Sequence, residues 1–319
     1  MIEFQRLLLG DSIRNDAFYK ALKAVIKPGV TTIADIGSGT GFLSFLAEKL
    51  GAKECHLYET SDALPLSKRM AKDNGIKRCK FFQTHSTAVK NPPKFDVVIS
   101  EVLGNYALEE NIIETLNDAH RFLKPGGIMI PLSLRQFVAP VTSSRLYDEL
   151  NVWDRVGHGL TFNAAKELCM NNMYVKEILQ SDLLPPLPRR GEGGWGGGGV
   201  EWDTIEFSEI KNKSVRSKIV EWKADHDHAL YGFALWWETT LIRNITLTTS
   251  PFEPSTHWKQ IYLPILDPLA VKKGQKISLA LKSDSRYEVK INMEWETSIS
   301  DAKGKLLKQV KQDMRKGYS

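Results

Sequence analysis

The sequence predicts an α/β chain in two parts: a doubly wound, mostly parallel-sheet domain over residues 1–131, then an antiparallel β domain over residues 132–319. Two patterns predict it. Between Val30 and Pro131, short apolar runs alternate with amphipathic stretches, which is how a parallel sheet with helical crossovers reads. After Pro131, β-type runs follow one another without crossover helices, which suits an antiparallel sheet or barrel. A chain of 319 residues has room for both, since single cores stop growing near about 250–300 residues.

In the first part, Thr32–Ile36, Cys55–Tyr58, Cys79–Phe82 and Phe95–Ile99 are candidate strands. Gly41–Leu50 and Asp62–Asn74 are amphipathic and read as crossover helices. A further helix over Glu109–Leu123 ends at Lys124-Pro125-Gly126-Gly127, a stop-and-turn signal ahead of the strand Ile128–Ile130. In the second part, strands are expected at Ser133–Val141, Val200–Phe207, Ser217–Trp222, Tyr231–Leu241, Gln260–Pro264, Ile277–Leu281 and Tyr287–Trp295. Thr161–Leu179 interrupts them as a helical insertion, with Ala164, Ala165, Leu168, Met173 and Val175 set among polar residues. Beyond it, Pro185–Pro188 and the glycine run of residues 190–199 form a low-complexity segment. Ordering so much glycine costs chain entropy, so a mobile loop is expected, with a lid carrying Trp195 as the alternative.

Composition places the chain in the ordinary globular range, with 42% hydrophobic and 25% charged residues. No apolar run approaches the ~18 residues that cross a bilayer, and the start lacks the basic and long apolar stretches of a secretory signal. Cys55, Cys79 and Cys169 have neither paired nor metal-ligand spacing, which suits a reducing, cytoplasmic compartment and predicts no metal. The net charge of +5 is mild and partly sits in the tail, where Lys303, Lys305, Lys308, Lys311, Arg315 and Lys316 face Asp313. Leu306, Leu307, Val310 and Met314 lie between them. The tail reads as a solvated basic end to the last element, or as an amphipathic docking helix. It makes a poor nucleic-acid surface, because no aromatic residues interleave with its charges for stacking.

The loop Asp35-Ile36-Gly37-Ser38-Gly39-Thr40-Gly41 follows a strand and opens a helix, the context in which glycines let a backbone approach a ligand. Its G-x-G-x-G spacing is not the dinucleotide fingerprint G-x-G-x-x-G. Asp35 at its mouth would repel a pyrophosphate and welcome an ammonium. S-adenosyl-L-methionine carries an amino group and a sulfonium and no phosphate, so charge favours it over a dinucleotide. Glu59 ends the next strand, 24 positions after Asp35, near the ~20-residue offset at which an acid meets ribose hydroxyls.

Open α/β sheets bind ligands beyond the carboxyl ends of their strands. Phe95–Ile99 delivers Ser100-Glu101-Val102-Leu103-Gly104-Asn105-Tyr106-Ala107-Leu108-Glu109-Glu110 to that edge. Glu101 leaves the strand and Glu110 lies in the first turn expected of the next helix, so the loop can bring two carboxylates together. Two such acids resist joint ionisation unless a cation lies between them, and a guanidinium is a planar, permanently charged fork. Acids favoured by a helix N-terminus are the other reading of Glu109 and Glu110. Either of the two can be the partner of Glu101, since helical neighbours point about 100° apart at ~3.6 residues per turn.

The stretch from Ser100 to Glu110 resembles the double-glutamate loop of the protein arginine methyltransferase family. Thr256-His257-Trp258, within Pro254–Gln260, resembles that family's threonine-histidine-tryptophan loop. Asp35–Gly41 and Glu59 are similar to its cofactor motifs, and Lys124–Gly127 to its strand turn. The resemblance implies a Rossmann-like methyltransferase domain followed by an antiparallel β-barrel domain, with a helical dimerisation arm over Trp153–Leu184. It implies S-adenosyl-L-methionine as cofactor, an arginine-containing protein as substrate and a homodimer. It places Arg14 on the cofactor carboxylate, Asp11 beside His257 as proton acceptor or domain clamp, and Trp258 in a wall of the arginine channel. Glu101 and Glu110 would grip the guanidinium in line with the sulfonium methyl.

The chain departs from the family pattern in three places. Ten residues precede Asp11, so the tyrosine-bearing helix that covers the cofactor and touches substrate in the family is expected to be absent, leaving the pocket open or borrowed. The family's adenine-contacting acid falls near Ser86-Thr87, leaving Ser86 as the cofactor contact. Leu8 and Ile112 stand where members making asymmetric dimethylarginine carry methionines. Transfer to a small guanidino compound, and a scaffold that keeps the fold, are the alternative functions. Elsewhere, His226-Asp227-His228 reads as a polar turn, Trp236-Trp237 as one buried and one partly exposed strand residue, and His120 as a helix C-terminal cation.

Overall fold

A computed structural model describes residues 2–184 and 199–317. The expected mobile segment at 190–199 lies outside these residues except for Gly199. The first domain opens with helices α1 (Ile2–Gly10) and α2 (Ser12–Val25), followed by β1 (Thr32–Ile36), α3 (Phe42–Lys49), β2 (Glu54–Tyr58), α4 (Ala63–Asp73), β3 (Cys79–Phe82), β4 (Phe95–Ile99), α5 (Ile112–Ala119) and β5 (Leu123–Ile130). The five strands are parallel and ordered β3-β2-β1-β4-β5. The order reverses between β1 and β4, so a crevice opens beyond their carboxyl ends, the place where doubly wound sheets take ligands. The loop after β1 carries the glycines, and the loop after β4 carries Glu101.

The second domain holds β6 (Ser133–Val141), α6 (Arg145–Leu150), α7 (Asn163–Met170), β7 (Tyr174–Lys176), β8 (Val200–Glu206), β9 (Val215–Lys223), β10 (His228–Ile242), β11 (Ile245–Thr248), β12 (Gln260–Val271), β13 (Lys276–Asp284), β14 (Asn292–Ser300) and β15 (Leu306–Asp313). Hydrogen bonding divides the strands into two antiparallel sheets, β7-β12-β10-β6-β8 with β11 on β10, and β15-β14-β13-β9. One hydrophobic cluster runs through both domains, from Phe18, Ile33 and Leu57 to Trp202, Trp237, Trp258 and Trp295. The two halves therefore share an apolar core.

Several expected elements are corrected. The helix expected over Glu109–Leu123 is confined to Ile112–Ala119, because Asn111 takes a left-handed φ of 56° and stops it short of both glutamates. Its far end tightens into the 3-10 turn His120–Phe122, where the His120 ring nitrogen Nε2 meets the Phe207 carbonyl at 2.9 Å. The helical insertion is likewise shorter. Past Met170 the chain turns extended, and Tyr174–Lys176 adds an edge strand to β12. The last expected strand starts at Asn292, since Arg286–Lys290 forms a turn and Tyr287 is exposed. Trp236 and Trp237 are both buried, because β10 lies inside its sheet and both of its faces are covered; Trp236 packs in a separate cluster with Phe137. The tail is an edge strand with exposed Leu306 and Leu307, not a docking helix. His226-Asp227-His228 is the turn into β10, with Asp227 accepting from Lys272 and the Lys273 N–H. Among the described residues no cluster of acids, histidines or cysteines could hold a metal, and no helix is long and apolar enough to cross a membrane.

Candidate active site

Gly37 and Gly41 both take left-handed backbone, with φ of 73° and 81°. At Gly41 a side chain would also collide with Ser67 Oγ at 2.5 Å and Phe45 Cζ at 2.8 Å. Only glycine lets the chain turn this tightly from β1 into α3. The turn leaves the Gly39 N–H free to donate to Glu59 Oε2 at 2.8 Å, while Ser61 N–H donates to Glu59 Oε1 at 2.7 Å. The second-strand acid is thereby fixed against the loop. Asp35 is buried beneath it and accepts from Ser44 Oγ at 2.7 Å.

Asp35, Gly37, Gly39, Glu59 and Ser61 line a cavity of about 260 Å³ at the switch point, with Gln5, Arg14, Glu101 and Glu110 also in its polar wall. Residues 2–10, ahead of Asp11, form α1, which carries no tyrosine and supplies Phe4, Leu8 and Leu9 to the lining. Four carboxyls, Asp35, Glu59, Glu101 and Glu110, face one guanidinium, that of Arg14. Burial, then the Glu59 and Glu101 charges, pushes the Asp35 carboxyl up to about 7 despite the Ser44 hydrogen bond. Glu110 stands at the rim and is exposed to solvent. Loss of hydration on its cavity side, then the charges of Glu101 and Glu109, raises it to about 7. A wall of this sign suits a cationic ligand without phosphate.

Arg14 and Glu101 form a buried ion pair, each side chain 6% exposed. Leu103 N–H donates back to Glu101 Oε1 at 3.2 Å. Of the two candidate partners for Glu101, Glu110 lines the cavity and Glu109 does not. The Glu109 carboxyl folds under its own loop against Gly104, and burial raises it despite hydrogen bonds from the backbone of Tyr106 and Asn105.

The second domain holds this acid-bearing loop from behind. Trp258 Nε1 donates to the Leu103 carbonyl at 2.7 Å, Trp237 Nε1 donates to the Gly104 carbonyl at 3.1 Å, and Lys259 N–H donates to Asn105 Oδ1 at 2.8 Å. Trp258 is therefore buried as a brace and is not part of the lining of the cavity at the glycine loop. Trp237 and Asn105 were not foreseen as part of the site. The tryptophan doublet of β10 signals burial and nothing about its indole partner.

Asp11 ties the two domains together. Its Oδ1 caps α2 through the Arg14 N–H at 2.9 Å, and its Oδ2 accepts from both the backbone N–H and Nδ1 of His257, at 2.8 Å and 2.7 Å. Burial alone would push the Asp11 carboxyl up; the hydrogen bonds from His257 and Arg14 outweigh it and hold it below the ordinary range. His257 Nε2 is buried and lacks a partner. His257 lines a neighbouring cavity of about 330 Å³ with Arg6, Leu7 and Thr256, not the acid-walled one. Ser86 is buried in a 3-10 turn, its carbonyl taken by Arg121, and it does not reach the cavity.

With this geometry in place, likeness to known proteins is informative. A family model described as the arginine methyltransferase oligomerization subdomain matches residues 135–300, more than half of the chain. The chain belongs to the protein arginine methyltransferase family. A methyltransferase-domain model matches residues 27–187. The chain is 27% identical over 316 residues to the histone-arginine methyltransferase CARMER of Anopheles gambiae, covering 93% of itself and 49% of that protein. It is 24% identical over 284 residues to protein arginine N-methyltransferase 6 of Xenopus tropicalis, covering 85% of itself and 80% of that protein. It thus spans about half the length of the first relative and most of the second. Among solved structures, it shares a fold with the Trypanosoma brucei PRMT1 enzyme-prozyme heterotetrameric complex with AdoHcy, at a TM-score of 0.81 and 21% identity over 97% of this chain and 96% of that one. Protein arginine methyltransferase 10 of Arabidopsis thaliana gives a TM-score of 0.77 at 21% identity, over 98% of each chain. Family membership accounts for both halves, the doubly wound domain and the antiparallel one.

Proposed function

We propose that this family member transfers a methyl group from S-adenosylmethionine to a guanidino nitrogen of protein arginine. The reading rests on one observation: Glu101 and Glu110 line the same cavity, at the carboxyl edge of the sheet, beside the glycine loop. Asp35, Glu59 and the cradle at Gly37 and Gly39 fit the cofactor, because their negative charge and close backbone approach suit a cation without phosphate. Arg14 is the one cation in the lining among the described residues and would take the cofactor carboxylate. When bound, the cofactor supplies an electrophilic methyl on its sulfonium.

Glu101 and Glu110 hold and orient the guanidinium, and its charge lets both acids ionise together. Asp11 and His257 clamp the α2 terminus to the second domain, the role that their hydrogen bonds support. Trp258 acts on the arginine channel from behind, by holding the Leu103 carbonyl. We further propose a homodimer through the arm at 153–184, and a cytoplasmic location, in keeping with three free cysteines.

The test is transfer of labelled methyl to glycine-arginine-rich peptides and to free arginine. Label on peptide arginine supports the proposal. Label on free arginine alone replaces it with a small guanidino substrate, and label on neither overturns it.

A further inference from the structure

We propose that Trp237 is a positioning residue for the two site acids, acting through its indole N–H on the Gly104 carbonyl; the inference rests on the methyltransferase reading above. Gly104 lies between Glu101 and Glu110 in the loop that carries both. Trp237 is 1% exposed and donates to that carbonyl at 3.1 Å. It meets Trp258 edge to face, with ring centroids 5.1 Å apart and planes at 71°. Two packed indoles thus hold successive carbonyls, Leu103 and Gly104, from one rigid base.

That base is well fixed. The Trp237 N–H donates to Thr249 Oγ1 at 3.1 Å, and its carbonyl accepts from Thr249 N–H at 2.9 Å and Thr248 Oγ1 at 2.8 Å. On the loop side, Gly104 has no slack. A Cβ there would lie 2.4 Å from Glu109 Oε2 and 2.7 Å from Glu109 Cβ. Movement of Gly104 therefore displaces Glu109 and, through it, the adjoining Glu110. Removing the indole N–H leaves a buried carbonyl unpaired, and the loop relaxes to satisfy it. The spacing of Glu101 and Glu110 then changes although neither acid is altered.

Trp295 provides a control. It is fully buried and donates Nε1 to the Pro264 carbonyl at 3.0 Å, a carbonyl that also accepts from Gln312 Nε2 at 3.1 Å. Trp237→Phe and Trp295→Phe in the full chain remove the same chemical group from two buried sites. Thermal stability, cofactor affinity, affinity for a glycine-arginine-rich peptide, kcat and KM are measured for each, with amide hydrogen exchange of residues 101–110.

Trp237→Phe is expected to lower kcat about 10–100-fold and weaken the peptide about tenfold, with cofactor affinity within about twofold of the parent. Loop exchange should quicken. Trp295→Phe should keep kcat, both affinities and loop exchange. Unchanged kcat and peptide affinity in Trp237→Phe, or the same losses in Trp295→Phe, overturn the inference. If the parent chain transfers no methyl, the activity reading fails, and loop exchange still decides: unaltered exchange in Trp237→Phe overturns the positioning role.

Discussion

Arg14 directs two of its nitrogens at a single oxygen of Glu101: Nε donates to Oε2 at 2.9 Å, and Nη2 donates to the same atom. The residue assigned to a cofactor carboxylate thus also holds the first of the two site acids. A lysine offers a point charge and no fork. Arg14→Lys should weaken cofactor binding by about tenfold and slow transfer as well, since both partners lose the planar grip. Calorimetry reading an unchanged affinity would remove Arg14 from the cofactor site.

Glu101→Gln keeps the shape of the side chain and removes its charge. It is expected to reduce kcat by at least about 100-fold while changing cofactor affinity by no more than about threefold. Steady-state kinetics beside direct cofactor titration separates the two effects, and near-normal turnover would refute the role given to Glu101.

The raised Asp35 carboxyl carries a pH signature. Its pKa rises from an ordinary 3.8 to about 7 on folding, so between those values the folded chain binds more protons than the unfolded one. Stability from this group is therefore fully present below about 4 and is lost as pH rises through about 7. The ligand-free melting temperature of Asp35→Asn, taken relative to the parent, should climb across that window. A flat difference would show that Asp35 is charged throughout. Binding a cation to the acid-walled cavity should release protons near pH 7, readable by calorimetry in buffers of different ionisation enthalpy.

Gly41→Ala faces both a left-handed φ of 81° and atoms at 2.5 Å and 2.8 Å, and should cost about 2–4 kcal/mol. Gly75 has a φ of 64° with nothing within 4 Å, so Gly75→Ala should cost only the backbone share, about 1–2 kcal/mol. Urea unfolding of both measures the crowding as their difference. Equal losses would mean that the turn has room.

The arm leaves Val156 and Leu160 exposed, at 41% and 62%. In the proposed dimer these side chains are covered. The parent should sediment as a dimer, and Val156→Asp with Leu160→Asp as a monomer. A monomeric parent at working concentrations would remove the arm's assigned role.

The strands β1 to β4, the glycine loop, and Glu59 at the end of β2 were legible because each is set by near neighbours: alternating apolar residues, a run of glycines, an acid at a fixed offset. The resemblance supplied Asp11, Arg14 and His257. Boundaries strayed where one residue or a distant partner decided them, as Asn111 ended α5 before Glu110 and β12 drew Tyr174–Lys176 into a sheet. Helix α1 carries no such local mark, because its nine residues acquire meaning only against the cavity they line.

By itself the sequence determined the order of the elements, the sign of the cavity's charge and which acids leave the strands, since side-chain chemistry and short-range periodicity are written residue by residue. The tertiary structure alone decided which glutamate faces the cavity, that Ser86 and Trp258 do not, and that Arg14 already grips Glu101. It also set an indole 133 positions along the chain against the Gly104 carbonyl, and the His257 N–H 246 positions from Asp11. Such pairings follow from how two domains pack on one core, and no local pattern encodes the partner of a hydrogen bond made across that distance.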